Sequence, residues 1–219
     1  KSGMCKAGLV IGADVMTRIT NQNDRSMTPL FGDGAGCFVL ERTTEENDDF
    51  HLDDFLSGAD GSQGELIIVP KGGSRKAIEA ETLLNPFDQD HTIKMKGREV
   101  FKNVVSRLSD QILPQICDPE TGFRISTLND IDVLIFHQAN IRIIEAVMSK
   151  LEYKGVVYNN IERYGNTTSA SIPLCYTEAV EKEIIKPGSK VLCLAFGGGL
   201  TWAAALIRSS LDLSRTVGP

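Results

Sequence analysis

The chain alternates short, continuous apolar runs with segments in which apolar residues recur every three or four positions. The continuous runs predict β-strands over residues 9–13, 37–41, 66–69, 133–136, 156–158, 191–196 and 201–207. The helical periodicity predicts helices from residue 95 to just before Pro114, from residue 141 to residue 151, and over residues 171–185. Strands and helices that alternate in this way indicate an α/β fold.

The start of the chain predicts packed structure within a few residues. Residues 1–7 are expected to end a helix, with Gly8 as its C-terminal stop. The run at 9–13 is typical of a strand covered on both faces. Because this strand follows Lys1 so closely and no initiator methionine is present, we expect further residues of the same fold to precede Lys1.

Composition limits the classes of partner. With 219 residues, 42% of them hydrophobic, the chain can bury a substantial core. A formal charge of −6 argues against general affinity for nucleic acids or anionic membranes. No apolar run of about 18 residues is present, so no membrane span is predicted. The five cysteines are scattered and lack a C-x-x-C spacing, which favours reduced thiols in the cytoplasm over disulfides or a zinc site.

Two polar residues are the main candidates for chemistry. His137 directly follows the strand at 133–136, the position at which open α/β sheets present functional groups. Asn166 lies in a Gly-Asn-Thr sequence. A neutral imidazole and a carboxamide can both donate hydrogen bonds to an oxyanion formed from a thioester. The plainer alternatives are a structural histidine and an ordinary turn asparagine.

Glycines surround these candidates. The run 197–199 predicts a tight turn between two strands, and the backbone N–H of Gly198 could face a substrate oxygen because glycine has no side chain. No Gly-Lys-Ser/Thr follows, which excludes a phosphate loop. Gly32, Gly34 and Gly36 lack the dinucleotide-binding spacing and are interpreted as structural.

Several charged residues and one thiol have open interpretations. Arg25 could form a surface ion pair with Asp24, or its guanidinium could contact an adenine or a phosphate. Three basic residues on two predicted helices are either solvated or a landing patch for an acidic carrier: Lys102, Arg142 and Lys150. Cys5 is the best remaining nucleophile candidate, but its expected place at a helix C-terminus predicts an inert thiol.

Taken together, the motifs resemble those of β-ketoacyl-acyl-carrier-protein synthase III, the initiating condensing enzyme of bacterial fatty-acid synthesis, in the thiolase superfamily. The likeness covers about residues 9–208. It is carried by the sequences His-Gln-Ala-Asn-x-Arg from 137, Gly-Asn-Thr from 165, Phe-Gly-Gly-Gly-x-Thr-Trp from 196, Asp-Arg from 24, Phe-Gly-Asp-Gly-Ala-Gly from 31 and Gly-x-Glu-Val-Phe-Lys from 97.

The resemblance implies a thiolase-like fold of α-β-α-β-α layers, with an incomplete first half and a complete second half, and a homodimer. It assigns 1–41 to the end of the first half, 42–93 to a connector, 94–208 to the second half and 209–219 to a tail without fixed structure. His137 and Asn166 would be two members of a Cys-His-Asn triad, and Gly198 would contribute to the oxyanion hole. The coenzyme A and substrate contacts implied are Arg25, Gly97, Phe101, Ala139 and Asn140, and the carrier-protein contacts are Lys102, Arg142 and Lys150.

The implied reaction joins an acyl-CoA primer, typically acetyl-CoA, to malonyl-acyl carrier protein with loss of carbon dioxide. Coenzyme A is then part of a substrate, and no further cofactor or metal is expected. The family's nucleophilic cysteine is expected upstream of Lys1, so the chain alone should be inactive. Thr168-Ser169 also departs from the family's usual order of small residues, and Leu194 replaces an acidic residue of some relatives. The alternative is a non-catalytic partner subunit or carrier-binding module of a heteromeric condensing enzyme.

Overall fold

A computed structural model describes residues 5–42, 51–85, 89–118, 120 and 125–209. The strands are β1 (Ala7–Asp14), β2 (Gly34–Glu41), β3 (His51–Ala59), β4 (Ile67–Ile68), β5 (Lys94–Met95), β6 (Val133–Phe136), β7 (Val156–Tyr158), β8 (Lys190–Gly197) and β9 (Thr201–Arg208). The α-helices are α1 (Ala80–Leu84), α2 (Gly97–Arg107), α3 (Leu113–Ile116), α4 (Ile141–Met148), α5 (Ile161–Tyr164) and α6 (Ser171–Glu181). Short 3-10 helices cover Met16–Arg18, Gly61–Leu66, Leu128–Asp130 and Thr168–Ala170.

A five-stranded mixed sheet in the order β3–β9–β8–β6–β7 forms the centre of the fold. β6 pairs in parallel with β7 and with β8, whereas β9 is antiparallel to both β8 and β3. All four residues of β6 are buried, which explains its unbroken apolar sequence: a strand covered on both faces needs no polar alternation.

Helices cover both faces of this sheet, and successive strand residues face alternate sides. Leu134 and Phe136 pack in a cluster with residues of α2, α3 and α4. Val133 and Ile135 pack in a second cluster with residues of α6. β2 contacts the outer side of α6, where the Phe38 and Tyr176 rings meet edge to face. The described residues therefore build an α-β-α-β succession of layers, as expected for the thiolase-like fold.

The helix that begins at Gly97 does not end before Pro114, and that prediction is wrong. A π-helix over Leu108–Ile112 continues it into α3, whose first turn contains Pro114. A proline there loses little because its missing N–H and fixed φ suit a helix start. Leu113 and Ile116 are buried against the sheet, so packing favours the extension.

The first predicted strand exists, but two expectations about this region are wrong. Ala7 and Gly8 belong to β1 rather than to a helix end, and residues 1–4 lie outside the described residues. Leu9 and Ile11 are 63% and 66% exposed, so the strand is not covered on both faces. The physical reason is that β1 and β2 form a two-stranded sheet in the described part of the chain.

The edge strand β3 comes from the range predicted as a connector. It pairs with β9 from His51↔Arg208 to Ala59↔Thr201. The acidic sequence of residues 45–54 predicts a solvated segment, and this prediction is wrong at Asp53, which is 9% exposed. The Arg208 guanidinium neutralises the Asp53 carboxylate at 3.1 Å, which allows the acid to be buried in the sheet. Residues 45–50 lie outside the described residues.

The prediction that a tail without fixed structure starts at residue 209 is wrong for Ser209. It is 1% exposed, and its N–H donates to the Ser189 carbonyl at 2.8 Å. Residues 210–219 lie outside the described residues. In the described ranges, no helix has the length and apolar character needed to cross a membrane.

Glycines let β1 and β2 approach the segment that carries Asn166. A Cβ on Gly12 would lie 2.4 Å from the Ser169 carbonyl oxygen, and one on Gly32 would lie 2.0 Å from the Tyr164 carbonyl oxygen. A Cβ on Gly36 would lie 2.9 Å from the Pro173 ring. The structural interpretation of Gly32, Gly34 and Gly36 agrees with these close approaches.

Gly12→Ala is expected to lower the free energy of unfolding by about 1–3 kcal/mol, because the added methyl group collides with backbone atoms that cannot rotate away. Gly8→Ala in the same strand is the matched control. A Cβ there meets nothing within 4 Å, so its stability should stay within about 0.5 kcal/mol of wild type. Urea unfolding measures both changes, and equal effects would contradict the close-packing explanation.

Candidate active site

His137 directly follows β6, at the carboxyl ends of the parallel strands β6 and β8. Its backbone N–H donates to the Leu194 carbonyl of β8 at 2.7 Å. Its ring meets the Phe196 ring edge to face, with centroids 5.4 Å apart. Because β8 continues directly into the glycine turn, these contacts bring the imidazole next to the start of that turn.

The predicted turn between β8 and β9 is confirmed. Gly198 is exposed, so its backbone is accessible to a substrate, and its carbonyl accepts a hydrogen bond from Thr201 Oγ1 at 3.3 Å. Gly199 has a φ of +137°, a conformation that favours glycine. The Asp60 N–H donates to the Leu200 carbonyl at 2.7 Å and ties the turn to the end of β3.

Next to the glycine turn lies a cluster of charged and aromatic side chains, Arg107, Asp60 and Trp202, which no sequence motif indicated. The Arg107 guanidinium lies over the Trp202 ring, 4.8 Å from its centroid, and forms an ion pair with the Asp60 carboxylate. Trp202 in turn lies across Gly58 on the neighbouring strand, where a Cβ would meet the indole at 2.4 Å. Arg107 and Asp60 are 47 residues apart, so no local pattern reveals their pairing.

Asn166 is buried, and its backbone is held by the loop before β2. Its N–H donates to the Leu30 carbonyl at 2.9 Å, and its carbonyl accepts from the Gly32 N–H at 3.0 Å. Its side-chain Oδ1 accepts from the Thr168 N–H at 3.0 Å. That bond fixes the orientation of the amide, so the NH₂ group is the part left to act as a donor.

The residues after Asn166 connect it to His137. Thr168 has a φ of +49°, which is unusual for a β-branched residue. The Asp14 carboxylate accepts from both the Thr168 and Ser169 hydroxyls, which anchors the strained turn to the end of β1. Ser171, at the start of α6, places its hydroxyl oxygen 2.7 Å from His137 Nδ1. No sequence motif predicted a role for Thr168 or Ser171.

Gln138 links the segment that carries His137 to the segment that leads to Asn166 through hydrogen bonds in the protein interior. It is fully buried, and its Oε1 accepts from the backbone N–H groups of Asn160 and Ile161 at 3.0 and 3.1 Å. Its Nε2 donates to the Phe136 carbonyl at 2.8 Å. Gln138 therefore caps α5, the helix that leads to Asn166, from the strand that carries His137. Its position in the motif is explained by this clamp.

The surroundings of His137 favour the neutral imidazole. Burial lowers the pKa of His137 to about 4, and a backbone hydrogen bond with Thr168 opposes that shift only in part. The ring is therefore uncharged at neutral pH. A neutral donor can stabilise a developing oxyanion without first losing a proton.

The residues predicted to contact coenzyme A lie in the first two turns of helices or in loops. Gly97 is the exposed first residue of α2, and Phe101 is half-buried one turn later. Asn140 caps α4, with its Oδ1 accepting from the Arg142 N–H at 3.0 Å, and Ala139 precedes it. Arg25 is exposed, and the Asp24 carboxylate bonds to Ser26 rather than to Arg25.

Lys102 lies on α2, Arg142 in the first turn of α4, and Lys150 just after the end of α4. The helices α2 and α4 contact one another. Lys102 and Arg142 are exposed. Lys150 lies 3.5 Å from the Asp110 carboxylate, and its Nζ donates to Ser109 Oγ at 3.1 Å, so its charge is partly offset. The arrangement leaves Lys102 and Arg142 as the more available positive charges.

No cysteine thiol hydrogen-bonds His137 or Asn166 in the described part of the chain. Cys5 and Cys37 are exposed, and Cys117 is half-buried at the end of α3. Burial raises the pKa of both Cys175 and Cys193 to about 12, which keeps these thiols protonated. Within the described residues, the donor groups of the site therefore have no thiol hydrogen-bonded to them.

The lowered pKa of His137 predicts how stability depends on pH. The unfolded state binds the proton below about pH 6.5 and the folded state only near pH 4, so stability falls as the pH drops through this window. Between pH 7 and pH 5, wild type should lose about 2 kcal/mol more unfolding free energy than His137→Gln, which cannot titrate there. Urea unfolding at both pH values measures this difference, and identical losses would show that the histidine is not buried as a neutral ring.

Comparison with known proteins identifies the family of this arrangement. Residues 125–209 match the family described as 3-oxoacyl-(acyl-carrier-protein) synthase III C terminal, and residues 1–61 match 3-oxoacyl-(acyl-carrier-protein) synthase III. Together these ranges cover more than half of the chain. The β-ketoacyl-(acyl-carrier-protein) synthase III of Caldanaerobacter subterraneus subsp. tengcongensis is 42% identical over 211 residues, which are 96% of this chain and 60% of the relative.

Solved structures agree with the sequence matches. The 3-oxoacyl-(acyl carrier protein) synthase III of Pseudomonas aeruginosa superimposes with a TM-score of 0.78 at 31% identity, over 95% of this chain and 60% of that one. The synthase III of Thermus thermophilus superimposes with a TM-score of 0.75 at 34% identity, over 96% and 61%. The chain thus spans about 60% of the length of these relatives. With its thiolase-like layers and the polar residues at the ends of β6 and α5, the chain belongs to the β-ketoacyl-acyl-carrier-protein synthase III family.

Proposed function

We propose that this chain is part of a condensing enzyme that joins an acyl-CoA primer, typically acetyl-CoA, to malonyl-acyl carrier protein. The observation that carries the proposal is the pairing of a neutral His137 with an Asn166 whose amide is oriented by Thr168. Both are uncharged donors: His137 lies at the carboxyl ends of the parallel strands β6 and β8, and Thr168 bonds both to its ring and to Asn166. Family membership supports the same reaction.

In the proposed reaction, the bond between the malonyl α-carbon and its carboxylate breaks, and carbon dioxide leaves. The electron pair of that bond forms an enolate on the thioester. The His137 ring N–H and the Asn166 Nδ2–H donate hydrogen bonds to the enolate oxygen. The enolate carbon then attacks the carbonyl of an acyl-cysteine, and the cysteine leaves as a thiolate. The Gly198 N–H would stabilise the tetrahedral oxyanion of that step.

In this proposal, the nucleophilic cysteine is none of the five cysteines of the chain. The raised pKa values of Cys175 and Cys193 and the absence of hydrogen bonds from the described thiols to His137 support this assignment. The chain alone should then bind substrates without completing condensation. The alternative, a non-catalytic partner subunit, predicts that the acyl group is never attached to the polypeptide that contains His137. Mass spectrometry of the polypeptide purified from its source cells, after incubation with acetyl-CoA, distinguishes the two: an acyl adduct on that polypeptide supports the condensing enzyme, and its absence supports the partner subunit.

Substrate contacts follow the same proposal. Arg25, Gly97, Phe101, Ala139 and Asn140 would contact coenzyme A or the pantetheine arm, and the exposed helix start at Gly97 leaves open space for such a ligand. The coenzyme A thioester is a substrate, and the reaction requires no further cofactor. The family resemblance also supports a homodimer and a cytoplasmic location.

In the protein that carries the nucleophile, His137→Ala and Asn166→Ala should each slow malonyl decarboxylation by about 10²–10³-fold, because each removes one donor to the enolate oxygen. Acylation from acetyl-CoA should fall less. The two half-reactions are measured separately as carbon dioxide release and as acyl transfer to the enzyme. Asn129→Ala is the control, since this exposed asparagine also bonds backbone groups but lies away from the site. Equal losses in both half-reactions would contradict the assigned roles.

Lys102→Glu and Arg142→Glu should raise the KM for malonyl-acyl carrier protein by roughly tenfold at low salt and change the KM for acetyl-CoA little, because an acidic carrier meets a reversed charge. Lys150→Glu should have a smaller effect, since Asp110 already offsets that charge. Lys186→Glu is the matched control, because it is exposed just after α6, the helix on the opposite face of the sheet. An equal effect from Lys186→Glu would indicate general charge sensitivity instead of docking.

A further inference from the structure

Ser171 is a buried residue whose hydroxyl group is hydrogen-bonded to the candidate catalytic histidine. The residue is 1% exposed, and its Oγ lies 2.7 Å from His137 Nδ1. The same oxygen accepts from the Gln138 N–H at 3.3 Å. These are its only hydrogen-bond partners in the described part of the chain. The hydroxyl therefore sits between one backbone donor and one ring nitrogen.

The geometry points to Ser171 as the positioning residue that sets the tautomer of His137. The Gln138 N–H occupies one lone pair of the hydroxyl oxygen, and the hydroxyl hydrogen then has a single acceptor within reach, Nδ1. An imidazole that accepts at Nδ1 carries its proton on Nε2. Ser171 thereby holds the ring in the form in which Nε2–H is a donor.

The opposite tautomer is the rival arrangement. The backbone hydrogen bond between Thr168 and the ring could hold the proton on Nδ1. Nδ1 would then be a donor instead of an acceptor, and the hydroxyl hydrogen of the buried Ser171 would be left without an acceptor. Buried polar groups rarely stay unpaired, which favours the Nε2–H form. In the rival tautomer, Nε2 would be a lone pair facing an anion, and it would repel the enolate.

The catalytic consequence rests on the proposed function, whereas the tautomer does not. In the Nε2–H form, the ring is a donor to the enolate oxygen before substrate arrives. Ser171 touches no substrate in this scheme and acts only through His137. Its loss should therefore weaken decarboxylation less than the loss of the histidine itself.

The test is a long-range proton–nitrogen NMR spectrum of the ¹⁵N-labelled protein at pH 7, with the His137 signals assigned by their absence in His137→Gln. We expect wild type to show the proton on Nε2 and an unprotonated Nδ1. Ser171→Ala should show a mixture of tautomers or the Nδ1–H form, and Ser171→Thr should restore the wild-type pattern because it keeps the hydroxyl. A wild-type ring protonated on Nδ1 would overturn the inference without any variant.

Ser189→Ala is the matched control for a buried hydroxyl. Ser189 is also buried, and its Oγ accepts a backbone N–H, from Lys186 at 3.0 Å, but it lies after α6 and away from His137. It should leave the His137 tautomer unchanged. In the protein that carries the nucleophile, Ser171→Ala should lower kcat for malonyl decarboxylation about tenfold with little change in KM, and Ser171→Thr should recover it.

The outcomes separate this inference from the proposed function. If His137→Ala decarboxylates normally, the proposed function fails, whatever tautomer the spectrum shows. If His137→Ala is impaired but Ser171→Ala keeps both the Nε2–H tautomer and full kcat, the role of Ser171 is disproved and the function stands. An altered tautomer in Ser189→Ala would also overturn the specific role of Ser171.

Discussion

The close approach of the β1–β2 sheet to the segment around Asn166 is the constraint on which the site depends. Backbone atoms of the two regions come so near that a methyl group on Gly12 or Gly32 would overlap a carbonyl oxygen. Within that contact, Leu30 and Gly32 bond both backbone groups of Asn166. Asp14 holds the following turn through the Thr168 and Ser169 hydroxyls. The position of the carboxamide is thus set by residues more than 130 positions earlier in the chain.

The site also shows a cost that the rest of the protein must offset. Burial lowers the pKa of His137 to about 4, so the folded state loses stability in acid. Thr168 is held in a left-handed conformation that a β-branched side chain rarely adopts. Gln138 and Ser171 satisfy their buried polar groups within the site, which limits the cost of enclosing them. Such strained and desolvated groups are typical of functional sites rather than of cores.

Much of the fold could be predicted from sequence because its central strands are covered on both faces. The runs at β6, β8 and β9 are continuous, and His137 follows β6 as expected. Predictions failed where tertiary contacts determine the local structure. The ion pair with Arg208 allows Asp53 to be buried, and packing against the sheet extends the helix past Pro114. β1 is more exposed than its apolar sequence indicated. The roles of Ser171 and Gln138 could not be predicted, because each depends on hydrogen-bond partners 20 to 35 positions away in the sequence.

The pairing of β3 with β9 also bears on how the protein folds. Their partners, such as Leu52 and Ile207, are far apart in sequence, and the Asp14 contacts with the Asn166 turn span a similar separation. Forming such contacts requires closing very long loops, so they are expected late and slow the overall folding rate. The neutral histidine and its oriented amide would therefore come together only after the longest-range pairings are complete. A partly folded chain could contain every strand of the central sheet except its edge and still lack a competent site.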